Sequence, residues 1–468
     1  MMPTQTNLKV DGWLEAVDRL AAGRLTLLSL WADAPDVKMA LLDETSGAVS
    51  IVGYHCRNGQ YPSVGVKHPP AIRLERAIRD LQKLEAIGAS DTRPWIKHTP
   101  APYAFLPADG EALHQIAVGP VHAGIIEPGH FRFTANGEFL VRLEARLGYV
   151  HRGIEASMAG APLDKAAMFA ARASGDSTVA YGIAFALAAE TALGIAAPPR
   201  AVFLRALMAE LERLANHFGD IGAICNDASF SLMHAQCGIL RELTLRAAND
   251  CFGHRLMMDI AVPGGVARDI AADGAAALRV LLAEVRRVFP QLIELYDNTA
   301  SLQDRTVTTG IVKPEYARQF GAGGFVGRAS ARGVDARRLP GYAPYGDLRF
   351  DVPVLTAGDV NARVWIRIRE VEQSLTLVEQ IIAALPQGDL RIDLPVRGGE
   401  GLALTEAFRG DVLVWLRVGE DGRVARCHLR DASWFQWPLL ETAVEGNIVA
   451  DFPLCNKSFN CSYAGHDL

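Results

Sequence analysis

Short runs of apolar residues alternate with polar residues in the first part of the chain. The segment 25–56 contains several β-prone runs separated by turn residues. A different spacing follows in 71–90, where apolar residues recur on one face of a helical pattern and Gly88 is the expected C-cap. These patterns predict a small α/β domain over residues 1–98.

Residues 99–115 show neither the alternation of a strand nor the apolar spacing of a helix. The stretch TPAPYAFLPADGE is rich in Pro, Ala and Gly, which is typical of a connection between independently packed units. The sequence therefore predicts a linker over 99–115 and a second domain over 116–468.

Helical patterns dominate the second domain. Residues 177–193 are apolar on most sides, as in a buried helix, and Gly194 is expected to end it. Patterns with a period near 3.6 follow in 200–224 and 271–302. The helical stretch 200–224 also carries a polar stripe, which predicts a buried face of salt bridges rather than a metal site.

Strand patterns occur near both ends of the second domain. Phe139, Val141 and Leu143 alternate with Leu140, Arg142 and Glu144, and 406–434 alternates strongly. The predicted fold class is therefore α+β: a small α/β N-terminal domain, followed by a mainly helical body with β elements at both ends.

Composition narrows the class of protein. The chain has 468 residues, of which 50% are hydrophobic, so it can bury a large core. Its net charge of −6 and the lack of a basic block exclude a nucleic-acid partner. The N-terminus has no signal-peptide pattern, and no run of about 18 apolar residues predicts a membrane span. Seven scattered cysteines without a C-x-x-C pair indicate a reducing compartment with free thiols.

Two short motifs carry the chemistry. Arg172-Ala-Ser174-Gly-Asp-Ser177 has the spacing of the Arg-x-Cys-Gly-x-Cys motif of nickel–iron hydrogenase large subunits. Ser458-Phe-Asn-Cys461 has the spacing of their C-terminal Cys-x-x-Cys motif. The chain thus resembles that family, with Ser174, Ser177, Ser458 and Cys461 at the four positions that hold the metals, and Arg172 flanking them.

Other segments extend the resemblance to the D subunit of respiratory complex I and to the membrane-bound hydrogenases. The loop 119–133 resembles their Gly-Pro-x-His loop, in which the residue matching His122 lies at a quinone head-group and the residue matching Glu127 lies on a proton path. Arg409 resembles an arginine that approaches the metal's diatomic ligands. We therefore expect His122, Glu127, Asp176 and Arg409 to act in one cleft.

Two further segments are interpreted from the same resemblance. Residues 75–95 resemble the C subunit of complex I, which docks onto the large subunit, and an ordinary amphipathic helix is the alternative. The arginine-rich stretch 327–337 is either an exposed loop with solvated charges or a dock for an iron–sulfur partner.

The resemblance implies an oxidoreductase function, but the serines at the metal-ligand positions argue against hydrogen turnover. Nickel and iron need soft thiolates, and serine hydroxyls cannot replace them, so a Ni–Fe centre and hydrogen turnover are not expected. A quinone is the alternative occupant, although Gly175 falls where the complex I subunit has its proton-donating tyrosine. The sequence predicts the large subunit of a hydrogenase-like or NADH-quinone oxidoreductase-like complex. The competing hypothesis is a non-catalytic subunit that couples electron transfer to ion movement.

The resemblance also implies partners and a location. We expect an iron–sulfur small subunit similar to the B subunit of complex I, which would hold the nearest cluster. Separate antiporter-like membrane subunits would anchor the complex. The chain itself would be cytoplasmic and peripheral, on the cytoplasmic face of the inner membrane.

Overall fold

A computed structural model describes residues 4–468 of the chain. Its N-terminal part is a four-stranded sheet with strand order β1-β4-β3-β2, in which β1 and β4 are parallel and the other pairs are antiparallel. Two helices and a short parallel pair, β5 and β6, complete this unit. The elements are β1 Thr4–Leu8, α1 Val10–Ala21, β2 Thr26–Asp33, β3 Asp36–Asp43, β4 Ala48–His55, β5 Gln60–Pro62, α2 Ile72–Gln82 and β6 Glu85–Ile87.

The larger body begins with a three-stranded antiparallel sheet and has another near its C-terminal end, followed by three short helices, so the α+β fold class is confirmed. Between them lie the helices that build the main core. The elements are β7 Leu113–Val118, β8 His130–Asn136, β9 Phe139–Arg146, α3 Ile154–Met158, α4 Leu163–Ala170, α5 Thr178–Leu193, α6 Pro199–Asp227, α7 Ser231–Phe252, β10 Ala261–Val262, β11 Gly265–Val266, α8 Gly274–Asn298, α9 Ala300–Thr306, α10 Pro314–Gln319, α11 Gly324–Ala329, α12 Val360–Ala384, β12 Gly399–Ala407, β13 Gly410–Val418, β14 Val424–Arg430, α13 Ser433–Ala443, α14 Phe452–Phe459 and α15 Tyr463–Asp467.

Helix α5 is the centre of this body. Its residues are almost all buried, and Gly194 ends it in the left-handed conformation, as its sequence predicts. One side of α5 packs on β12 and β13, and the helix also contacts α6. Because the apolar run has no polar face, it can be stable only inside the protein. The turn that precedes α5 is thereby held at a fixed place, deep in the body.

Two predicted helix ends are wrong. Helix α2 ends at Lys83, which adopts the left-handed conformation, and not at Gly88. Leu84 turns into the core after it, and the next three residues pair with β5. The pattern over 271–302 is divided at Thr299, where α8 ends and α9 begins. In both cases an apolar residue after the break, Leu84 or Leu302, is buried.

The arginine-rich stretch 327–337 is buried, so its interpretation as an exposed loop is wrong. Arg328 and Arg337 are enclosed by carboxylates, and Arg332 donates to Glu44 and to a backbone carbonyl. The polar stripe on α6 lies against this same stretch, and its prediction as a buried salt-bridged face is confirmed. Burial of these charges is possible because each guanidinium has acceptors on several elements.

The N-terminal unit packs closely on the body. Ser29 of β2 is hydrogen-bonded to Nε2 of His428 (2.8 Å), whose Nδ1 is 2.8 Å from Glu155 of α3. Lys38 and Arg73 form further ion pairs with the body. Hydrophobic residues from both parts share one core. The boundary at 99–115 stays a prediction, since packing of this kind occurs between two docked domains as well as within one.

The linker gives a direct test of that boundary. Its first half is anchored, because Leu106 donates to Glu144 and Tyr103 accepts from Arg76, whereas 107–112 is largely exposed and irregular. We expect endoproteinase Glu-C to cut first at Asp109 or Glu111. The two fragments should still elute together on size exclusion, because the contacts between the two parts do not involve this segment. First cleavage inside the helical body would contradict the predicted boundary, whereas separation of the fragments would contradict the tight packing of the two units.

Candidate functional site

A polar cavity of about 320 Å³ lies where the two sequence motifs meet. Four segments form its walls: the loop before β8, the turn before α5, the hairpin between β12 and β13, and the segment from α14 into α15. The lining residues are Ile125, Ile126, Glu127, Ser174, Gly175, Asp176, Arg409, Asn456, Lys457, Asn460, Cys461, Ser462, Tyr463 and Ala464. Residues distant in sequence are therefore brought together, as the motif pairing predicts.

An ion pair joins two walls of the cavity. Arg409 donates from Nη1 to Oδ1 of Asp176 (2.7 Å) and from Nη2 to Oδ2 (2.5 Å). The Arg409 side chain is 5% exposed and that of Asp176 is 40% exposed. Desolvation favours protonation of Asp176, but the charge of Arg409 outweighs it, so the pKa of Asp176 lies below its ordinary value. The pair is thus ionised at neutral pH.

Serine hydroxyls connect the same walls. Ser174 Oγ donates to Oδ1 of Asp176 (2.8 Å) and lies 2.9 Å from Oγ of Ser462. Gly175–Ser177 form a single 3₁₀ turn, and Asn216 of α6 donates to the carbonyl of Asp176. Ser177 lies behind this turn, 3.4 Å from Nη1 of Arg409. The turn is therefore held in place by hydrogen bonds and requires no bound group to keep its shape.

Cys461 is the thiol of the cavity. It follows Asn460, which ends α14 in the left-handed conformation and whose carbonyl accepts from Nε of Arg409. Burial raises the pKa of the Cys461 thiol, so it is protonated at neutral pH despite the nearby Arg409 charge. This thiol is a weak nucleophile in the present surroundings.

Ser458 does not line the cavity. It is buried in α14, donates to the carbonyl of Cys455 (2.6 Å) and accepts from Nε of Arg363 (3.0 Å). Cys455 is buried too, as expected for a small apolar residue. Arg172 also lies outside, in a bidentate pair with Asp259 at 2.7 Å. These two predicted positions thus have partners that fix the surrounding helices.

The loop before β8 supplies the remaining wall. Oε2 of Glu127 accepts from the backbone of Ala464 (3.0 Å), which ties the loop to α15. His122 does not line the cavity, but its Nε2 lies 3.5 Å from the hydroxyl of Tyr463, which does. Burial lowers the pKa of His122, so the imidazole is neutral at pH 7. A His–Tyr pair therefore lies at the edge of the site.

Sequence reasoning missed several residues of the site. Ser462 and Tyr463 follow directly after the second motif, and their helical turn was not predicted. Glu212 of α6 lies below Asp176, beside a second, smaller cavity. It accepts from the backbone of Val179 and Ala180, and burial raises its pKa to about 8. In the sequence, only the position of Glu212 on the helix that faces the turn before α5 could have indicated that it belongs to the site.

The donor set does not fit a nickel–iron centre. Such a centre needs several thiolates, two of them bridging, whereas the matching positions here offer one protonated thiol and three hydroxyls that already make hydrogen bonds. Residues 4–468 contain no group of three or more His, Cys, Asp or Glu side chains placed to hold a metal ion.

Comparison with known proteins gives the family. Residues 229–398 match the model of the respiratory-chain NADH dehydrogenase 49 Kd subunit. Formate hydrogenlyase subunit 5 of Escherichia coli is 31% identical over 440 residues, which cover 87% of this chain and 77% of that protein. The chain belongs to the family of hydrogenase large subunits and their complex I counterparts. The D subunit of NADH-quinone oxidoreductase from Syntrophobacter fumaroxidans is 30% identical over 75% of the chain and 95% of that protein.

A solved structure shares the fold of this family member. A chain of the membrane-bound sulfane sulfur reductase, an archaeal respiratory membrane complex, superposes with a TM-score of 0.72 at 24% identity. The match covers 78% of this chain and 100% of that chain. Within residues 4–468, no helix is both long and apolar enough to span a bilayer.

The ion pair of the site gives a stability prediction. Asp176→Asn leaves the buried Arg409 charge without its partner, so the free energy of unfolding should fall by about 1–3 kcal/mol at pH 7. Because the folded-state pKa of Asp176 is depressed below 3.8, the difference from the wild-type chain should persist down to about that pH and shrink below it.

A matched control uses an exposed pair of similar length. Asp164 pairs with Arg391 at 2.6 Å, and their side chains are 58% and 35% exposed. Asp164→Asn should therefore change the unfolding free energy by only about 0–1 kcal/mol. Denaturant unfolding of the three proteins from pH 3 to pH 7 measures both effects. Equal losses in the two variants would contradict a structural role for the Arg409 pair.

Proposed function

We propose that this chain is the large subunit of a membrane-associated oxidoreductase complex that does not turn over hydrogen at its own site. Membership of the hydrogenase and complex I family supports the first part. The observation that carries the second part is the state of the cavity walls. One protonated thiol and three hydrogen-bonded serines occupy the positions that thiolates would need, and a closed ion pair lies beside them.

The chain's own residues give the cavity a defined chemistry. Asp176 presents a partly exposed carboxylate, and Ser174 and Ser462 present hydroxyls, so the inner wall favours a ligand with hydrogen-bond donors. The outer edge carries the neutral His122 and the Tyr463 hydroxyl. Burial raises the pKa of Tyr463, which keeps its proton available for donation.

A quinone head-group is one occupant that these residues suit. The cavity has the volume of a small-ligand site, and Tyr463 with His122 would hydrogen-bond a quinone oxygen. When bound, a quinone would supply the acceptor for electrons from a cluster in a partner. The residues of this chain would orient the ring, and Tyr463 would hold a proton at its hydroxyl.

The partners and location follow from the same family assignment. We propose an iron–sulfur small subunit as the neighbour that holds the nearest cluster, and separate membrane subunits as the anchor. The chain would then sit peripherally on the cytoplasmic face of the inner membrane. Names of relatives and of the superposed complex include membrane-bound assemblies, which supports the anchor but not the individual partners.

A coupling role without catalysis is the second candidate. The observation that favours it is the row of buried ion pairs behind the cavity. Asn460 of the cavity wall donates to Asp220, which pairs with Arg367 of α12 at 3.0 Å. Such a row could transmit a change of charge at the site into the helical body. Both candidates place the chain in the same complex.

Purification from native membranes tests the proposal. A tagged chain extracted in mild detergent should bring along an iron–sulfur protein and membrane-spanning proteins. The preparation should contain iron and labile sulfide, and far less than about one nickel atom per chain. An untagged strain serves as the control for carry-over. A stoichiometric nickel content, or a chain that elutes alone, would overturn the proposal.

Restored cysteines should not restore the metal. In the variant Ser174→Cys, Ser177→Cys and Ser458→Cys, residue 458 would still point to Arg363 and away from the cavity. The Arg409–Asp176 pair would still occupy the inner wall. We expect elemental analysis of the purified variant complex to find no nickel above the wild-type level. Stoichiometric nickel in this variant would show that the site still closes around a metal.

A further inference from the structure

A cluster of eight ionisable side chains is sealed in the body behind the cavity. We call it the α6–α12 cluster, since these two helices carry half of its members. Every member is at most 2% exposed. The members are Glu210, Arg213, His217, Arg328, Asp335, Arg337, Glu370 and Glu406. None of them lines a cavity described above.

Ion pairs connect the members into one network. Arg337 binds Asp335 with Nη2 at 2.7 Å and Glu210 with Nη1 at 3.1 Å. Arg328 binds Glu370 at 2.6 Å and Glu406 at 2.8 Å. Arg213 contacts Glu210 at 3.3 Å. Such multiple pairing is what allows charges to remain stable out of water.

The charges in this network do not balance. Four carboxyl groups, those of Glu210, Asp335, Glu370 and Glu406, face three guanidinium groups. The charged groups nearest to the cluster do not correct this, because each is paired on its own. These pairs are Arg367 with Asp220, Arg409 with Asp176, and Arg430 with Asp411. The nearby tyrosines, Tyr342 and Tyr345, are neutral because burial raises the pKa of both.

His217 does not supply the missing positive charge. Its Nε2 lies 2.8 Å from Glu370, but Nδ1 is buried and has no hydrogen-bond partner in residues 4–468. The ring is surrounded edge-on by Phe325 and Phe408. A proton on Nδ1 would be a buried charged donor without an acceptor, which is costly. Burial accordingly lowers the pKa of His217.

Glu406 is the carboxyl with the least compensation. Asp335 receives two bonds from the Arg337 guanidinium and one from its backbone, whereas Glu406 receives one from Arg328 and one from the backbone of Ala336. Nη1 of Arg328 lies between the two carboxyls, 2.8 Å from Glu406 and 3.4 Å from Asp335. Burial and the charge of Asp335 both raise the pKa of Glu406.

We propose that Glu406 holds one exchangeable proton that neutralises the α6–α12 cluster, and that the charge in the cavity controls its occupancy. This proton site goes beyond the proposed function and does not depend on it. The hydroxyl of Tyr342 accepts from the backbone N–H of Glu406 at 3.3 Å, and Tyr342 is only partly buried.

The link to the cavity is short. Glu406 and Arg409 lie in the same hairpin, between β12 and β13. Phe408 lies between the two sites, since its ring is 6.2 Å from that of His217 and 4.5 Å from the Arg409 guanidinium. Arg213 donates to the carbonyls of both Glu406 and Ala407. A change of charge at the Asp176–Arg409 pair would therefore reach Glu406 across the packed ring of Phe408.

Infrared spectroscopy of the purified full-length chain tests the proton site. Every protein in the series carries Glu212→Gln, because burial raises the pKa of Glu212 to about 8 and its own acid band would overlap. This parent chain should show a carboxylic acid C=O band that fades as pH rises through neutrality. Adding Glu406→Gln should remove the band, and Glu406→Asp should shift it.

The matched control for this experiment is Glu190→Gln. Glu190 is buried as well, but it pairs one-to-one with Arg205 at 2.6 Å, so its carboxyl has a full positive partner. This control should keep the titrating band of the parent chain. A band that survives in Glu406→Gln, or is absent from the parent chain, would overturn the proposal.

The stability of the same proteins gives a second readout. Since the folded-state pKa of Glu406 is raised above its ordinary 4.5, the folded state binds more protons than the unfolded state above pH 4.5. The melting temperature of the parent chain should therefore fall more steeply between pH 4.5 and neutrality than that of Glu406→Gln. Parallel curves for the two proteins would contradict the assignment even where the infrared band is too weak to follow.

A separate pair of variants tests the coupling between Glu406 and the cavity. Asp176→Asn removes a negative charge and leaves Arg409 unpaired, so the ionised form of Glu406 should be favoured and the midpoint of its band should move to lower pH. Asp269→Asn, which affects a pair with Arg200 elsewhere on the chain, should leave the midpoint in place. An unchanged midpoint in Asp176→Asn would show that the proton site is independent of the cavity.

Discussion

The contact between Arg409 and Asp176 determines how the chain closes on itself. Arg409 also donates to the carbonyl of Asn460, so one guanidinium joins the turn before α5, the β12–β13 hairpin and the end of α14. These three segments are far apart in sequence. Arginine suits this position because its planar group offers five donors in fixed directions. The walls of the cavity depend on this side chain, since its acceptors Asp176 and the Asn460 carbonyl belong to two different walls.

The serines are stable in this interior because their hydroxyls are hydrogen-bonded. Ser174 is bonded to Asp176 and Ser462, and Ser458 is bonded to Arg363 and the carbonyl of Cys455. Buried hydroxyls without partners would destabilise the fold. A thiolate would need different neighbours, which donate to sulfur and tolerate its charge. The hydrogen bonds around these positions therefore belong to a polar interior, and they explain how the cavity stays open without a cluster of thiolates.

The sequence predicted well wherever a single physical preference dominates. The apolar run of α5 and the glycine after it are compatible only with a buried helix that ends at Gly194. The motif spacing correctly predicted that Ser174 and Cys461 line one cavity. The end of α2 was misplaced because Gly88 is a strong local signal, while Lys83 is forced into the left-handed conformation by the pairing of the next residues. The burial of Arg328 depends on carboxylates of α12 and β12, and no local pattern shows such distant partners.

The β12–β13 hairpin connects the Arg409–Asp176 pair to the α6–α12 cluster. Gly410 has a φ of 137°, and a Cβ there would lie 2.9 Å from the backbone of Gly323 and Gly324, so the turn is pressed against α11. Gln436 holds the carbonyl of Arg409 at 2.7 Å, and Arg213 holds the carbonyls on the other side of the turn. A hairpin fixed on both sides cannot absorb a change by local relaxation. On the proposal above, a new charge at one end is met by a proton shift at Glu406, because the packed interior around that carboxyl screens charges weakly.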